Sequence, residues 1–73
     1  MPRKSEPTLS NLIRDLRATS GEMTQQDLAD QVGVTRQTII ALEKGAYTPS
    51  LALAIRISRL FEKPVEEIFR LEE

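Results

Sequence analysis

Apolar residues recur at helical spacing near the start of the chain. Leu9, Leu12, Ile13 and Leu16 fall at positions i, i+3, i+4 and i+7, which places them on one stripe of a helix. The pattern predicts a first helix over these residues that ends near residues 19–21. No segment alternates polar and apolar side chains for long enough to predict a strand, except residues 70–72 at the end. We therefore expect an all-α fold, with a short terminal β-hairpin of residues 70–73 against residues 8–10 as its one exception.

A tight turn separates the predicted second and third helices. Thr24 and Asp27 match the capping box, in which a hydroxyl and an acid three residues later each accept a backbone N–H. Gly33 stands where a left-handed residue closes a helix, and Thr35 can cap the next one. The third helix is predicted to run from Arg36 to about residue 44. The core residues predicted for the second helix, the turn and the third helix are Leu28, Ala29, Val34, Ile39 and Leu42.

The last third of the chain predicts a fourth and a fifth helix. Ser50 caps the fourth, whose apolar residues cover more than one stripe and so suggest a second buried contact. Pro64 begins the fifth helix with a backbone angle that suits a first turn. The residues expected to face the core in the fourth helix are Leu53, Ile57 and Leu60, and the apolar side of the fifth helix is Val65, Ile68 and Phe69.

Size and composition exclude several classes of protein. A chain of 73 residues forms one domain with little core to spare for a ligand cavity. It has 0 Cys and 0 His, which excludes disulfides and thiolate metal sites and argues against most hydrolytic and zinc chemistry. We expect no enzymatic activity, cofactor, metal or small-molecule ligand. No apolar run approaches the roughly 20 residues that span a bilayer, and no signal peptide is seen. A cytoplasmic location without membrane contact is expected.

The arrangement of charge is more informative than its sum. The net charge of -1 argues against coating nucleic acid through bulk charge. However, residues 24–45 form a capped helix, a Gly-containing turn and a second helix, the geometry that presents a recognition helix to the DNA major groove. Hydrogen-bonding side chains fill residues 35–38, at the end that reads bases in this motif. The predicted organisation is a flexible basic arm at residues 1–8 and a helix-turn-helix domain at residues 9–73.

Several motifs in the same order give the chain a family resemblance. From about residue 9 to residue 69 it resembles the Xre-type helix-turn-helix family of phage Cro and repressor proteins. Within that family it is similar to small stand-alone regulators of the cytolysin-repressor kind. The matching segments are Thr24–Ala29, Gly33–Ile39, Leu42–Gly45 and Tyr47–Leu51.

The resemblance implies a set of DNA contacts. Arg36 and Gln37 match base-reading residues, and their chemistry agrees, because arginine can bond guanine and glutamine can bond adenine through paired hydrogen bonds. Gln25 and Lys44 match phosphate contacts. The alternatives are a solvated helix face for Arg36 and Gln37, helix capping for Gln25, and compensation of a helix C-terminus for Lys44.

Further residues are predicted to contact DNA bases or phosphates. Ile40 lies one turn after Arg36 on the same face, so we expect it to be partly exposed and to contact a thymine methyl group; the alternative is packing in its own domain. Ala41 stands where relatives often carry a polar contact residue. The predicted base contacts are Arg36, Gln37, Ile40 and Ala41, and the predicted phosphate contacts are Gln25, Thr35, Thr38, Lys44 and Tyr47.

Two further features concern structure and assembly. Arg17 and Glu43 match a family ion pair between the first and third helices; the alternative is two unrelated surface charges. Apolar residues in the last third exceed what one small domain can bury, which predicts a homodimer. Its two-fold axis would set the recognition helices about 34 Å apart on a palindromic operator. The predicted dimer residues are Ile55, Phe61, Ile68, Phe69 and Leu71.

The sequence thus favours a dimeric transcription regulator, most simply a repressor that binds double-stranded DNA and blocks a promoter. Two alternatives stay open: the antitoxin of a toxin pair, and a protein-interaction bundle that has lost DNA binding. The operator, the regulated genes and the choice between repression and activation do not follow from the sequence.

Overall fold

The computed structural model describes residues 8–72 of the chain. The predicted fold, helical with a small sheet formed by the chain ends, is confirmed. Residues 1–7 of the predicted arm lie outside the described residues, whereas residue 8 begins a strand. The elements in chain order are β1 (Thr8–Asn11), α1 (Ile13–Thr19), α2 (Gln25–Val32), α3 (Arg36–Glu43), α4 (Leu51–Phe61), α5 (Val65–Ile68) and β2 (Phe69–Glu72).

The two strands pair antiparallel and join the two ends of the domain. Asn11 pairs with Phe69 and Thr8 with Glu72, and the Ser10 hydroxyl donates to a Glu72 carboxylate oxygen at 2.7 Å. The backbone N–H of Leu12 extends this ladder by donating to the carbonyl of Ile68 at 3.0 Å. The predicted pairing of the chain ends is confirmed over the described residues.

The predicted start of the first helix is wrong. Leu9 lies in β1 opposite Leu71, and Leu12, placed on the core stripe by its spacing, is 42% exposed. The helix begins only at Ile13, whose N–H donates to the Asn11 side chain at 3.2 Å. Four apolar residues fit a helical period by coincidence here, because Leu9 belongs to a strand that pairs with the distant C-terminal segment and Leu12 lies between that strand and the helix.

The helix-turn-helix unit forms as its capping residues predict. The Thr24 hydroxyl accepts the Asp27 N–H, and the Asp27 carboxylate accepts the Thr24 N–H, both at 3.0 Å. The bond from the Thr24 backbone holds the pKa of the Asp27 carboxyl below its ordinary value. Gly33 takes the left-handed conformation at φ 77° that closes α2. The Thr35 hydroxyl then accepts the Thr38 N–H at 3.2 Å and caps α3.

The fourth and fifth helices differ from expectation mainly at their ends. The Ser50 hydroxyl accepts the Leu53 N–H at 3.1 Å, as predicted for a cap. Glu62 closes α4 in the left-handed region at φ 56°. Phe69 is extended rather than helical, because the chain turns into β2 to pair with β1. The fifth helix is therefore a single turn.

One apolar core holds these elements together. Ile68 is 0% and Phe69 7% exposed, so their predicted place in a dimer surface is wrong: both side chains are used to attach the C-terminal segment to the helices. Phe61 is only partly buried against this core. The buried apolar residues are Ile13, Leu28, Ala29, Val32, Ile39, Leu42, Leu53, Ala54, Ile57, Ile68 and Phe69.

Candidate nucleic-acid interface

Helix α3 presents its N-terminal turn to solvent while its opposite side is fixed in the core. Arg36 and Gln37 are exposed, whereas Ile39 and Leu42 are 0% and 1% exposed. Ile40 is half-buried, as its position one turn after Arg36 predicts. Because Ile39 and Leu42 hold one side of α3 in the core, the long side chains of Arg36 and Gln37 are exposed to solvent.

A groove in two parts borders this helix. We call it the α1–α2–α3 groove. Its larger part, about 760 Å³, lies between α1, the N-terminal turn of α2 and the start of α3. Its smaller part, about 380 Å³, extends along α3 toward its C-terminal end. The larger part is lined by Arg14, Arg17, Ala18, Glu22, Met23, Thr24, Gln25, Gln26 and Arg36, and the smaller by Arg14, Arg17, Gln25, Ile40, Glu43 and Lys44.

Glu43 connects the three helices that form the walls of this groove. Arg17 Nε donates to Glu43 Oε2 at 2.6 Å and Arg17 Nη2 to Glu43 Oε1 at 3.1 Å, so the predicted ion pair is present. Gln25 Nε2 donates to the same Glu43 Oε1 at 3.1 Å. Arg17 also reaches the Met23 carbonyl at 2.9 Å through Nη1. One carboxylate on α3 therefore orients side chains from both α1 and α2.

The remaining predicted contact residues are distributed around this face. Thr35 is exposed and its hydroxyl lies 3.1 Å from that of Thr38, so one hydroxyl hydrogen of the pair stays free for another acceptor. Lys44 is exposed at the smaller part of the groove. Tyr47 is 41% exposed in the segment after α3. Ala41 is half-buried and offers only its methyl group.

The structure adds residues that the sequence interpretation missed. Arg14 lines both parts of the groove. Its spacing from Arg17 could have indicated this position, because a residue three positions before Arg17 lies on the same side of a helix. Leu51, on α4, was also missed and is 73% exposed, and the predicted dimer residue Ile55, one turn later, is 40% exposed. Their i, i+4 spacing places both on one side of α4.

The geometry agrees with the comparison to known proteins. A helix-turn-helix family model matches residues 13–68, from the first residue of α1 to the last of α5. The chain belongs to this family. The resemblance to the Xre-type helix-turn-helix regulators is thereby confirmed, and this is a family of transcriptional regulators rather than a class of enzymes.

Individual relatives in the family extend over most of the chain. An uncharacterized HTH-type transcriptional regulator of Methanothermobacter thermautotrophicus is 58% identical over 66 residues, which cover 89% of this chain and 94% of the relative. The regulator YgzD of Bacillus subtilis is 48% identical over 65 residues, covering 89% and 97%. The cryptic phage CTXphi transcriptional repressor RstR of Vibrio cholerae is 32% identical over 59 residues, covering 81% of this chain and 52% of RstR.

Within residues 8–72, none of the helices has the length and apolar character needed to cross a membrane.

Proposed function

We propose that this chain is a sequence-specific transcription regulator that inserts α3 into the major groove of double-stranded DNA. The observation that carries the proposal is the pair of exposed side chains, Arg36 and Gln37, on the capped first turn of α3. Arginine discriminates guanine and glutamine discriminates adenine by paired hydrogen bonds in that groove. Half-buried Ile40 and Ala41 follow on the same helix, where their apolar groups suit a thymine methyl.

The phosphate contacts of the proposal flank α3. Gln25 and Lys44 both line the smaller part of the groove, Thr35 and Thr38 carry hydroxyls at the start of α3, and Tyr47 is exposed beyond its end. Contacts to phosphate fix the orientation of a protein on the duplex, while contacts to base edges specify the sequence. The groove therefore supports a positioning role beside the reading role of α3.

We further propose that the active form is a homodimer and that it represses transcription. Leu51 and Ile55 give α4 an exposed apolar patch, which we call the α4 patch. Such patches mark interaction sites, and a two-fold dimer of helix-turn-helix domains binds a palindromic site with half-sites about one DNA turn apart. Repression is supported by the name of the relative RstR and by the simplicity of blocking a promoter by occupancy.

A gel shift at two salt concentrations tests the DNA-binding proposal. Protein is titrated into a mixed pool of short duplexes at 50 mM and at 200 mM salt. We expect retarded duplex at low salt and a loss of affinity of at least ten-fold at high salt, because phosphate contacts release counterions. Absence of any shift at either concentration would favour instead a helical bundle that binds protein.

A further inference from the structure

Among the residues that the structure describes, Arg14 is a groove-lining cation without a partner. Arg14 and Arg17 each line both parts, but their bonding differs. Arg17 donates three hydrogen bonds, to Glu43 and to the Met23 carbonyl, and so is held in place within the protein. Among residues 8–72, no hydrogen bond or ion pair engages the exposed guanidinium of Arg14. Its charge is available to a ligand.

The surroundings of Arg14 favour an anionic ligand. Among the described residues, those that line the larger part of the groove include three arginines and one carboxylate, that of Glu22. In the smaller part, the described lining residues carry three cations, Arg14, Arg17 and Lys44, and one carboxylate, that of Glu43. The two oxygens of this carboxylate already accept three hydrogen bonds. Both parts are therefore positive in a chain whose net charge is -1. An anion placed between them meets positive groups on either side.

Gln25 can assist Arg14 in holding such an anion. Its amide nitrogen carries two hydrogens, of which one is used in the bond to Glu43. That bond directs the amide nitrogen toward Glu43, which lines the smaller part, and Gln25 lines both parts together with Arg14. The second hydrogen remains to be donated to a ligand that Arg14 also contacts.

We propose that the groove holds backbone phosphates of the DNA strand beside α3 and that Arg14 is a principal phosphate-binding residue. This inference rests on the function proposed above and adds a contact from α1 to it. The ligand is assigned to DNA rather than to a free anion because α3 itself forms one wall: Arg36 borders the larger part, and Ile40 and Lys44 border the smaller. A strand that runs along α3 passes both parts.

Salt titration of Arg14→Gln measures this contact. The matched control is Arg70→Gln, which removes the same charge from an exposed position on β2 that borders neither part of the groove. Affinity for one selected duplex is measured by fluorescence anisotropy from 50 to 300 mM salt. Arg14→Gln is expected to weaken binding at low salt about ten-fold and to reduce the slope of log K against log salt by about 0.9 for each phosphate released. Arg70→Gln should leave that slope unchanged, and Arg14→Lys, which keeps the charge, should retain most of the wild-type slope.

Replacing single phosphates by uncharged methylphosphonates locates the contact. Each position along one half-site is replaced in turn, and wild type and Arg14→Gln are compared on every duplex. We expect one or two adjacent positions at which the replacement weakens wild type several-fold but leaves Arg14→Gln unaffected. Preference among bases, measured in a substitution series, should be the same for both proteins, because phosphate contacts carry no direct sequence information.

Three results would overturn the assignment. An unchanged salt slope in Arg14→Gln, with wild type still binding DNA, would remove Arg14 from the contact set and leave the proposed function intact. Altered base preference in Arg14→Gln would make it a base reader instead. Saturable binding of inorganic phosphate by wild type that Arg14→Gln abolishes, with the slope for DNA unchanged, would assign the groove to a free anion. Absence of all duplex binding by wild type is the distinct result that rejects the proposed function itself.

Discussion

Glu43 shows how a single side chain can organise a binding face. Its carboxylate neutralises Arg17 and accepts the Gln25 amide, so the two residues that wall the groove are positioned before any ligand arrives. The side chains of Arg17 and Glu43 are only 15% and 9% exposed. Disruption of an ion pair that is this shielded from water lowers the stability of a protein more than disruption of a solvent-exposed pair does.

We therefore expect Glu43→Gln to lower the free energy of unfolding by about 1 to 3 kcal/mol, since Arg17 would be left with a neutral partner. Urea denaturation measures the change. The control is Glu66→Gln, at an exposed position of α5, which should change stability by less than about 0.5 kcal/mol. Equal effects of the two substitutions would mean that the pair contributes no stability.

Arg36 offers the residue-level test of base reading. Arg36→Ala is expected to weaken specific binding by about 1 to 3 kcal/mol and to relax the preference at one base pair of each half-site, because a paired hydrogen bond is lost. Thermal stability should hardly change, since the side chain is exposed. Full retention of preference across a base-substitution series would show that Arg36 does not read a base.

At the level of elements, short-range chemistry made the helix boundaries predictable in the helix-turn-helix unit. Thr24, Gly33 and Thr35 each act on neighbours within a few residues, so their function as caps follows from local sequence. The start of α1 and the end of α5 depend instead on pairing between residues about 60 positions apart, such as Ser10 with Arg70. Helical periodicity carries no information on such pairing.

The residue that ends α4 has an unfavourable backbone conformation, which a substitution can relieve. Glu62 adopts a left-handed backbone at φ 56°, a conformation that costs an L-residue with a side chain about 1 kcal/mol more than glycine. Glu62→Gly should raise the midpoint of thermal unfolding by about 4 to 8 °C, the shift expected for that energy in a domain of this size. Glu67→Gly, in the right-handed helix α5, is the control and should lower the midpoint. A lower midpoint for Glu62→Gly as well would contradict this account of the cap.

For the whole molecule, assembly was the property least accessible from sequence. The excess of apolar residues in the last third was recognised, but Ile68 and Phe69 proved to be core residues and Leu51 an exposed one. All three are apolar residues, and only the packing of the C-terminal segment against the helices decides which of them face outward. DNA-contact chemistry was easier to predict, because it depends on exposed residues of one capped helix.

The α4 patch gives the test of dimerisation. Leu51→Lys combined with Ile55→Lys should give a folded monomer with weaker binding to a two-half-site duplex and unchanged binding to a single half-site, because charge is introduced into a surface that excludes water only on association. Sedimentation at micromolar concentration measures the state. Leu12→Lys, a charge at a similarly exposed apolar residue elsewhere, should remain dimeric. A wild-type protein that sediments as a monomer and binds half-sites singly would contradict the dimer.

Selection from a pool of random duplexes tests the central claim, sequence-specific DNA recognition by α3, most directly. Repeated rounds of binding at about 150 mM salt, followed by sequencing, should enrich one palindromic motif whose half-sites lie about 10 base pairs apart, centre to centre. The same selection with Arg36→Ala should lose the preference at one position of each half-site. A wild-type selection that enriches no motif would contradict the claim.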